Sequence, residues 1–463
     1  MSPVFARRIT GVETEFGITA TRDGRAVLGP EEVARYLFRP IVAKYRSSNI
    51  FTSSAARLYL DVGSHPEYAT AECDSLTQLL NHDKAGEVIY HRLALQAEQA
   101  LADDGIGGQV YLFKNNVDSM GNSYGAHENY LISREMVLKS LGKQMLPFMI
   151  TRQLICGAGM IKDGQFVLSQ RADQVWEGVS SATTRTRPVI NTRDEPHGDS
   201  HRFRRMHVIV GDSNMSETTF ALKIGSTLLL LEMLEADFEL ASWELENPIN
   251  EIRKIAADPT GLTPLKLVTG ETVTALEVQR GILESAKRWL EVRPDEGTPN
   301  EEMARVVDLW ERTLTAIDSQ DFSGVDTEID WVIKRKLLEQ YKNKLACDWT
   351  HPKLAHIDLA YHDIHPERSL FYLLQRKGLA ARWTTDEAIV HAADTAPETT
   401  RAHLRGQFLA AAEETGAAIS VDWVHMKAER PEPRTVELLD PFLTEDAQVD
   451  ELIAYMRENQ EAK

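Results

Sequence analysis

The chain has 463 residues, of which 43% are hydrophobic and 26% charged, as expected of a globular protein with one large domain and a smaller one. Its net charge of −19 argues against a nucleic-acid partner, because neutralising phosphates requires a surplus of Lys and Arg. Three scattered cysteines, no apolar signal core and no apolar run long enough to span a bilayer predict a cytoplasmic protein without a disulfide framework or a membrane partner.

The first predicted strand covers residues 8–18, with the sequence RITGVETEFGI. Side chains on a strand alternate between its two faces, so Glu13 and Glu15 share one face while Val12 and Phe16 share the other. Two carboxylates at neighbouring positions on one face repel each other, and either water or a divalent cation removes that cost. An exposed edge strand and a cation site are both open interpretations of this segment.

Two helices are predicted, over residues 30–45 and 76–103, from apolar residues spaced three and four apart. We expect these helices to cover the apolar side of a sheet.

The segment between the helices, residues 57–75, carries the side chains around which we expect the site to form; its sequence is RLYLDVGSHPEYATAECDS. Arg57, Tyr59 and Asp61 share one face of a predicted strand, and Glu67 and Thr70 follow a turn. Carboxylate and phenol oxygens are hard ligands that suit Mg²⁺, while an arginine suits a phosphate. A solvated strand face with a surface ion pair is the alternative interpretation.

Three later strands repeat this division into a polar and an apolar face. Their polar pairs are Gln109 with Tyr111, His127 with Asn129, and Arg205 with His207. If all these strands lie in one sheet, helices cover one face, and carboxylates, imidazoles and arginines line the other. Such a set favours metal-assisted phosphoryl transfer, although a lone histidine such as His127 is more often structural than a ligand. The chain has no glycine-rich phosphate loop between a strand and a helix, so a nucleotide site needs another design.

The middle of the chain is predicted to be mainly helical. Residues 146–158 predict a buried helix, and residues 271–292, 301–318 and 325–346 predict three more. Between them, residues 180–197 form a basic loop that either borders the active site or lies on a solvated surface.

We predict a large domain over residues 1–390 and a small C-terminal α+β domain over residues 391–463 that docks on it. In the small domain, Trp423 lies in the middle of a strand predicted over residues 419–426. Its pattern favours a position in the core of the domain, with the docking site as the alternative.

Several long motifs, taken together, resemble the ligases of the prokaryotic ubiquitin-like protein (Pup), the proteasome accessory factor A family. They include RRITGVETEFGI, RLYLDVGSHPEYATAECDS, SYGAHENYL, RRMHVIVGDSNMSE and VDWVHMK. The resemblance implies a glutamine synthetase-like fold, in which helices cover a concave antiparallel sheet and a small C-terminal domain follows. It also implies that ATP phosphorylates the C-terminal glutamate side chain of Pup, and that a lysine of a target protein then attacks to form an isopeptide bond that marks the target for proteasomal degradation.

The resemblance also assigns roles to residues of this sequence. It implies ATP and Mg²⁺ as cofactors, with Glu13, Tyr59 and Glu67 as magnesium ligands and Asp61 as the catalytic base. It implies Arg57, Thr70 and Trp423 as ATP contacts, which for Trp423 differs from the pattern-based prediction. The roles of Glu15, His127, Arg205 and His207 stay open, the last three as further candidates for metal or phosphate contact.

Three other functions compete with ligation. The sister enzyme of the same family removes Pup or deamidates it, but it typically carries an insertion for which residues 38–51 leave no room. A ligase joining glutamate to a small amine is compatible with the fold. A non-catalytic adaptor is disfavoured, because every matched site residue is intact.

Overall fold

A computed structural model describes residues 4–61, 63–118, 120–181, 187–193 and 195–460. Its strands are β1 (Thr10–Glu15), β2 (Gly17–Arg22), β3 (Arg25–Ala26), β4 (Ile50–Phe51), β5 (Arg57–Leu60), β6 (Pro66–Ala69), β7 (Gln109–Phe113), β8 (Ala126–Ser133), β9 (Met160–Lys162), β10 (Gln165–Val167), β11 (Glu177–Ser180), β12 (Pro188–Asn191), β13 (Phe203–Val208), β14 (Pro264–Lys266), β15 (Thr272–Thr274), β16 (Ile419–Val421), β17 (His425–Ala428) and β18 (Arg434–Glu437). Its helices are α1 (Pro30–Tyr45), α2 (Leu76–Asp103), α3 (Leu138–Thr151), α4 (Gln153–Cys156), α5 (Glu217–Glu235), α6 (Pro248–Ala256), α7 (Ala275–Leu290), α8 (Asn300–Ser319), α9 (Asp330–Leu345), α10 (Pro352–Tyr361), α11 (Leu370–Arg376), α12 (Asp386–Asp394), α13 (Ala402–Thr415) and α14 (Ala447–Glu458).

The main sheet has eight strands within the described ranges, in the order β11-β12-β13-β8-β1-β6-β5-β4. Neighbouring strands are antiparallel except for the parallel pair of β11 and β12. The predicted fold class, a helix-covered and largely antiparallel sheet followed by a small C-terminal unit, is therefore confirmed.

The apolar face of this sheet packs on the helices because alternate residues of its strands are hydrophobic. Val12, Tyr130 and Met206 belong to one large core cluster with α3, α5, α7 and α8. Helix α5 is buried along its whole length, and its three buried glutamates pair with arginines: Glu217 with Arg382, Glu232 with Arg293 and Glu235 with Arg8. The helices thereby cover one face of the sheet and leave its polar face available for a site.

The strand that carries Gln109 and Tyr111 is not part of the main sheet, so the prediction that it lines the polar face was wrong. β7 instead pairs with β2 in a three-stranded sheet of order β3-β2-β7. The first predicted strand breaks at Phe16, whose buried ring packs on Tyr90 and whose N–H donates to Pro66. Beyond this break the chain follows a different sheet, and β7 pairs with that continuation.

The helices predicted over residues 30–45 and 76–103 are confirmed with the same bounds. The helix predicted over residues 146–158 begins earlier, at Leu138, and continues after Arg152 as the short α4. Within the described part of the chain, no helix combines the length and apolarity needed to cross a bilayer.

The small C-terminal unit has a core of its own, built by α13, α14 and the sheet β16-β17-β18. The strand predicted over residues 419–426 is two strands, because the Asp422 side chain accepts hydrogen bonds from the N–H groups of Val424 and His425 and closes a turn. Trp423 therefore lies in a turn and not in the core of the unit. Helix α12 spans the predicted boundary at residue 390 and packs Ala392 and Ala393 on α2; the division at that residue stays a prediction.

The basic loop predicted over residues 180–197 is partly described. Arg187 donates to Gln174, and Arg193 pairs with Glu195 at 2.6 Å. Arg185 of this loop lies outside the described residues, as does Val62 beside Asp61.

Candidate active site

A first group of acidic side chains lies where β1, β5 and β6 meet. The strand register sets Tyr59 beside Glu67 and Glu67 beside Glu15. Asp61, exposed in the turn that follows β5, brings a carboxylate oxygen within 4.8 Å of oxygens of Glu15 and Glu67. Burial and the charges of Glu13 and Glu15 raise the pKa of Glu67 to about 9.

The acidic group has hydrogen-bond partners that orient it. Burial and the neighbouring Glu13 and Glu67 raise the pKa of Tyr59, so its hydroxyl stays protonated and donates a hydrogen bond to Glu67. Glu15 lies 3.3 Å from Nδ1 of His65, whose ring centre is 4.7 Å from that of Tyr124 with the two ring planes tilted by 60°.

A second group, Glu13, His127 and His207, lies on the neighbouring strands β1, β8 and β13, with potential ligand atoms within 4.8 Å of one another. Oε2 of Glu13 is 3.2 Å from Nδ1 of His127, and its Oε1 accepts a hydrogen bond from Asn129 at 3.1 Å. Burial opposes ionisation of Glu13, but the hydrogen bond from His127 and the charge of Arg205 outweigh it and hold the pKa of Glu13 well below its ordinary value.

The histidines of this group are arranged to offer free nitrogens. Nδ1 of His207 is 2.7 Å from Oδ1 of Asn129, which also accepts from Arg205 at 3.1 Å. An imidazole that donates through Nδ1 has an Nε2 lone pair for a metal. Burial lowers the pKa of His207 to about 3, so that ring is neutral at pH 7.

Gly125 leaves the space in which the two groups approach each other. A Cβ atom at this position would lie 2.4 Å from Nε2 of His127 and 2.7 Å from Oε1 of Glu15. Any larger residue would therefore displace one of these side chains. A cluster of crowded acidic side chains and imidazole nitrogens, with open space between them, fits a hard divalent cation such as Mg²⁺.

A cavity that opens to solvent is lined in part by Glu13. Its floor includes the apolar Ile9 and Leu131, and Trp423 of the small unit is among its lining residues. Polar and charged residues also line it: Thr70, Glu72, His197, Arg205 and Arg401. An apolar slot next to a group of carboxylates suits a ligand with a flat ring at one end and anionic groups at the other.

The structure brings most of the predicted site residues together. Glu13, Thr70 and Trp423 line the cavity, and Tyr59, Asp61 and Glu67 form the adjoining acidic group with Glu15. The hydroxyl oxygen of Thr70 accepts from the N–H of Val12 at 3.1 Å, which leaves its own proton free to donate. Arg57 lies beside this group, with its guanidinium 4.7 Å from the ring centre of Tyr59 and its Nε donating to Asn49.

Sequence reasoning missed four residues: Glu72, His197 and Arg401, which line the cavity, and Arg405, which pairs with Glu72. Two signals pointed to them. Glu72 follows Thr70 by two residues within the quoted motif, and Arg401 and Arg405 are four residues apart on one face of a helix. Neither signal identifies a partner, because Glu72 and Arg401 are separated by 329 residues.

The family model described as Pup-ligase protein matches residues 8–427 of this sequence. The chain belongs to this family. A Pup–protein ligase of Corynebacterium aurimucosum is 64% identical over 463 residues, which cover 98% of this chain and 98% of the relative. One of Mycobacterium bovis is 57% identical over 97% of this chain and 100% of the relative.

Two solved structures agree with this assignment. The crystal structure of the complex between Pup and its ligase PafA matches with a TM-score of 0.95 and 58% identity, covering 98% of this chain and 93% of the other. The Pup ligase PafA in complex with ADP matches with a TM-score of 0.88 and 60% identity, covering 94% and 95%. The family resemblance found in the motifs is thereby confirmed.

Proposed function

We propose that this chain is an ATP-dependent ligase that activates the side-chain carboxylate of the C-terminal glutamate of Pup and joins it to lysine side chains of target proteins. The observation that carries the proposal is the acidic group on the polar face of the sheet, directly beside a cavity with an apolar floor. Full-length relatives named Pup–protein ligase and a related structure with ADP support the same reaction. Three unpaired cysteines support a cytoplasmic location.

Glu13, Tyr59 and Glu67 are the residues we assign to Mg²⁺, with Glu15, His127 and His207 as the further donors that the geometry offers. When bound, Mg²⁺ neutralises charge on the phosphate oxygens of ATP. The protein's contribution is to hold these donors on rigid strands, with Asn129 orienting both Glu13 and His207.

The nucleotide is assigned to the cavity. Trp423 and the apolar floor can pack against the adenine ring of the nucleotide, and the hydroxyl of Thr70 has a proton to donate. Arg57 sits on the ring of Tyr59, where a guanidinium can pair with a phosphate oxygen. Held in this way, the terminal phosphate of ATP would lie near the acidic group, where the glutamate carboxylate of Pup would attack its phosphorus, forming an acyl phosphate as the bond to ADP breaks and ADP leaves.

Asp61 is assigned as the base for the second step. A free lysine has a pKa of about 10 and an aspartate a pKa of about 4, so Asp61 cannot deprotonate the amine before it reacts. As the amine nitrogen bonds to the acyl carbon and phosphate leaves, the N–H becomes strongly acidic and a nearby carboxylate takes the proton. The exposed position of Asp61 allows a protein-bound lysine to reach it.

The test is the variant Asp61→Asn, compared with Asp23→Asn as a control in an exposed turn. We expect Asp61→Asn to abolish conjugation of Pup while ATP still binds, and Asp23→Asn to leave both unchanged. If Asp61→Asn conjugates Pup at an undiminished rate, Asp61 is not the catalytic base.

The substrate is tested with Pup ending in Glu and Pup ending in Gln, each with ATP and a lysine-bearing protein. We expect ATP-dependent conjugation of the Glu form. Hydrolysis of the Gln form without conjugation of the Glu form would instead identify the sister deamidase activity.

A further inference from the structure

The buried carboxylate of Glu72 joins the small C-terminal unit to the main sheet beside the cavity. Glu72 is 8% exposed and lies just beyond β6. Its Oε1 accepts from Nε of Arg401 at 2.8 Å and from Nη2 of Arg405 at 2.7 Å, and its Oε2 accepts from Nη1 of Arg405 at 2.7 Å. Both arginines are 2% exposed and come from the start of the small unit, one at the N-cap and one in the first turn of α13.

Each arginine also holds the backbone of one residue of the cavity wall. Nη2 of Arg401 donates to the carbonyl oxygen of His197 at 2.5 Å. Nη2 of Arg405 donates to the carbonyl oxygen of Trp423 at 2.7 Å. Glu72 is therefore one hydrogen bond from each arginine and two hydrogen bonds from His197 and Trp423, which both line the cavity.

The ring of Trp423 is further oriented by the same arginine and by the main sheet. It meets Phe51 of β4 edge-on, with ring centres 4.9 Å apart and planes at 85°. The guanidinium of Arg405 lies 5.1 Å from the ring centre of Phe51 and 5.2 Å from that of Trp423. His197 is 6.1 Å from Trp423, so the two rings border one opening.

We propose that Glu72 is a positioning residue for nucleotide binding, which sets the separation of His197 and Trp423 through Arg401 and Arg405. The inference rests on the proposed function, because it takes the nucleotide to occupy this cavity. Its physical basis is preorganisation: a wall held in place before binding does not have to be ordered by the ligand. Charge-assisted hydrogen bonds in a buried site are directional enough to hold a turn such as the one at Trp423.

The experiment is a double-mutant cycle read by titration calorimetry with ADP, which needs no conjugation to occur. Arg405→Lys keeps the positive charge but loses the planar guanidinium, which hydrogen-bonds to both Glu72 and the carbonyl oxygen of Trp423. Trp423→Ala removes the aromatic ring whose position this guanidinium holds. Phe51→Leu is a second probe that leaves the buried charges intact. Arg457→Lys is the matched control, since Arg457 pairs with Glu414 at 3.1 Å on the exposed face of the same unit.

We expect Arg405→Lys and Phe51→Leu each to weaken ADP binding by about fivefold or more in the wild-type background, and by less than about twofold in the Trp423→Ala background. Arg457→Lys changes binding by less than about twofold in both. The KM for ATP should rise with kcat little changed, because the wall is needed for binding and not for transfer. Equal losses in both backgrounds would overturn the inference, as would full affinity in Arg405→Lys. A wild-type protein that binds ADP but does not conjugate Pup would instead overturn the proposed function.

Discussion

Replacement of Trp423 by alanine removes the aromatic ring that the small unit contributes to the cavity. Stacking of a base on an aromatic side chain contributes about 1–3 kcal/mol by alanine substitution. At about 1.4 kcal/mol per factor of ten, this corresponds to a rise of roughly 5- to 150-fold in the KM for ATP. The edge-on contact with Phe51, worth about 0.5–1.5 kcal/mol, is lost as well and lowers the stability of docking.

The assay measures initial rates of conjugation against ATP at saturating Pup and target, together with ADP affinity by calorimetry. Trp423→Phe keeps a flat ring and is expected to recover much of the lost affinity. Trp176→Ala is the control, because Trp176 is 61% exposed and stacks on Arg253 at 4.4 Å, apart from the cavity-lining residues.

The expected signature is a higher KM with kcat little changed, which marks an interaction that binds ground state and transition state equally. A KM for ATP within twofold of wild type in Trp423→Ala would refute the reasoning, because the ring would then not contact the nucleotide.

Three further predictions concern the fold and the acidic group. Burial and the nearby His391 of α12 lower the pKa of His82 to about 4 in the folded protein, against about 6.5 in the unfolded chain. Below pH 6.5 the unfolded chain therefore binds a proton at His82 before the folded protein does. The free energy of unfolding should fall by about 2 kcal/mol between pH 7 and pH 5 for this reason. Urea unfolding at the two pH values measures this, and a slope unchanged in His82→Gln would contradict it. Glu128→Gln leaves the buried Arg152, now paired at 2.5 Å, without its counter-charge and should cost about 3–5 kcal/mol in thermal unfolding, whereas Glu413→Gln in the exposed pair with Lys44 should change stability by less than about 0.5 kcal/mol. Glu67→Gln removes one carboxylate from the acidic group, so the Mg²⁺ concentration for half-maximal conjugation should rise; an unchanged Mg²⁺ dependence would exclude Glu67 as a ligand.

The local features of the site were predictable from short stretches of sequence. The alternation in residues 8–18 and 57–60 placed Glu13 with Glu15 and Arg57 with Tyr59 on polar strand faces, because strand geometry alone imposes a period of two, while Asp61 lies in the turn just after β5. The bounds of α1 and α2 followed from apolar spacing in the same way. The long motifs also identified the family, whose membership the comparisons confirmed.

Other features depend on contacts between distant parts of the chain, and local patterns carry no information about them. The strand of Gln109 has the same alternation as the others, yet it pairs with β2 and lies outside the main sheet. Trp423 has the pattern of a core residue, but a turn closed by Asp422 turns it toward the cavity. Residue order thus dictates which side of a strand or helix is polar. The pairing of strands and the docking of the small unit dictate which polar sides meet, because both are settled by packing between segments far apart in the sequence.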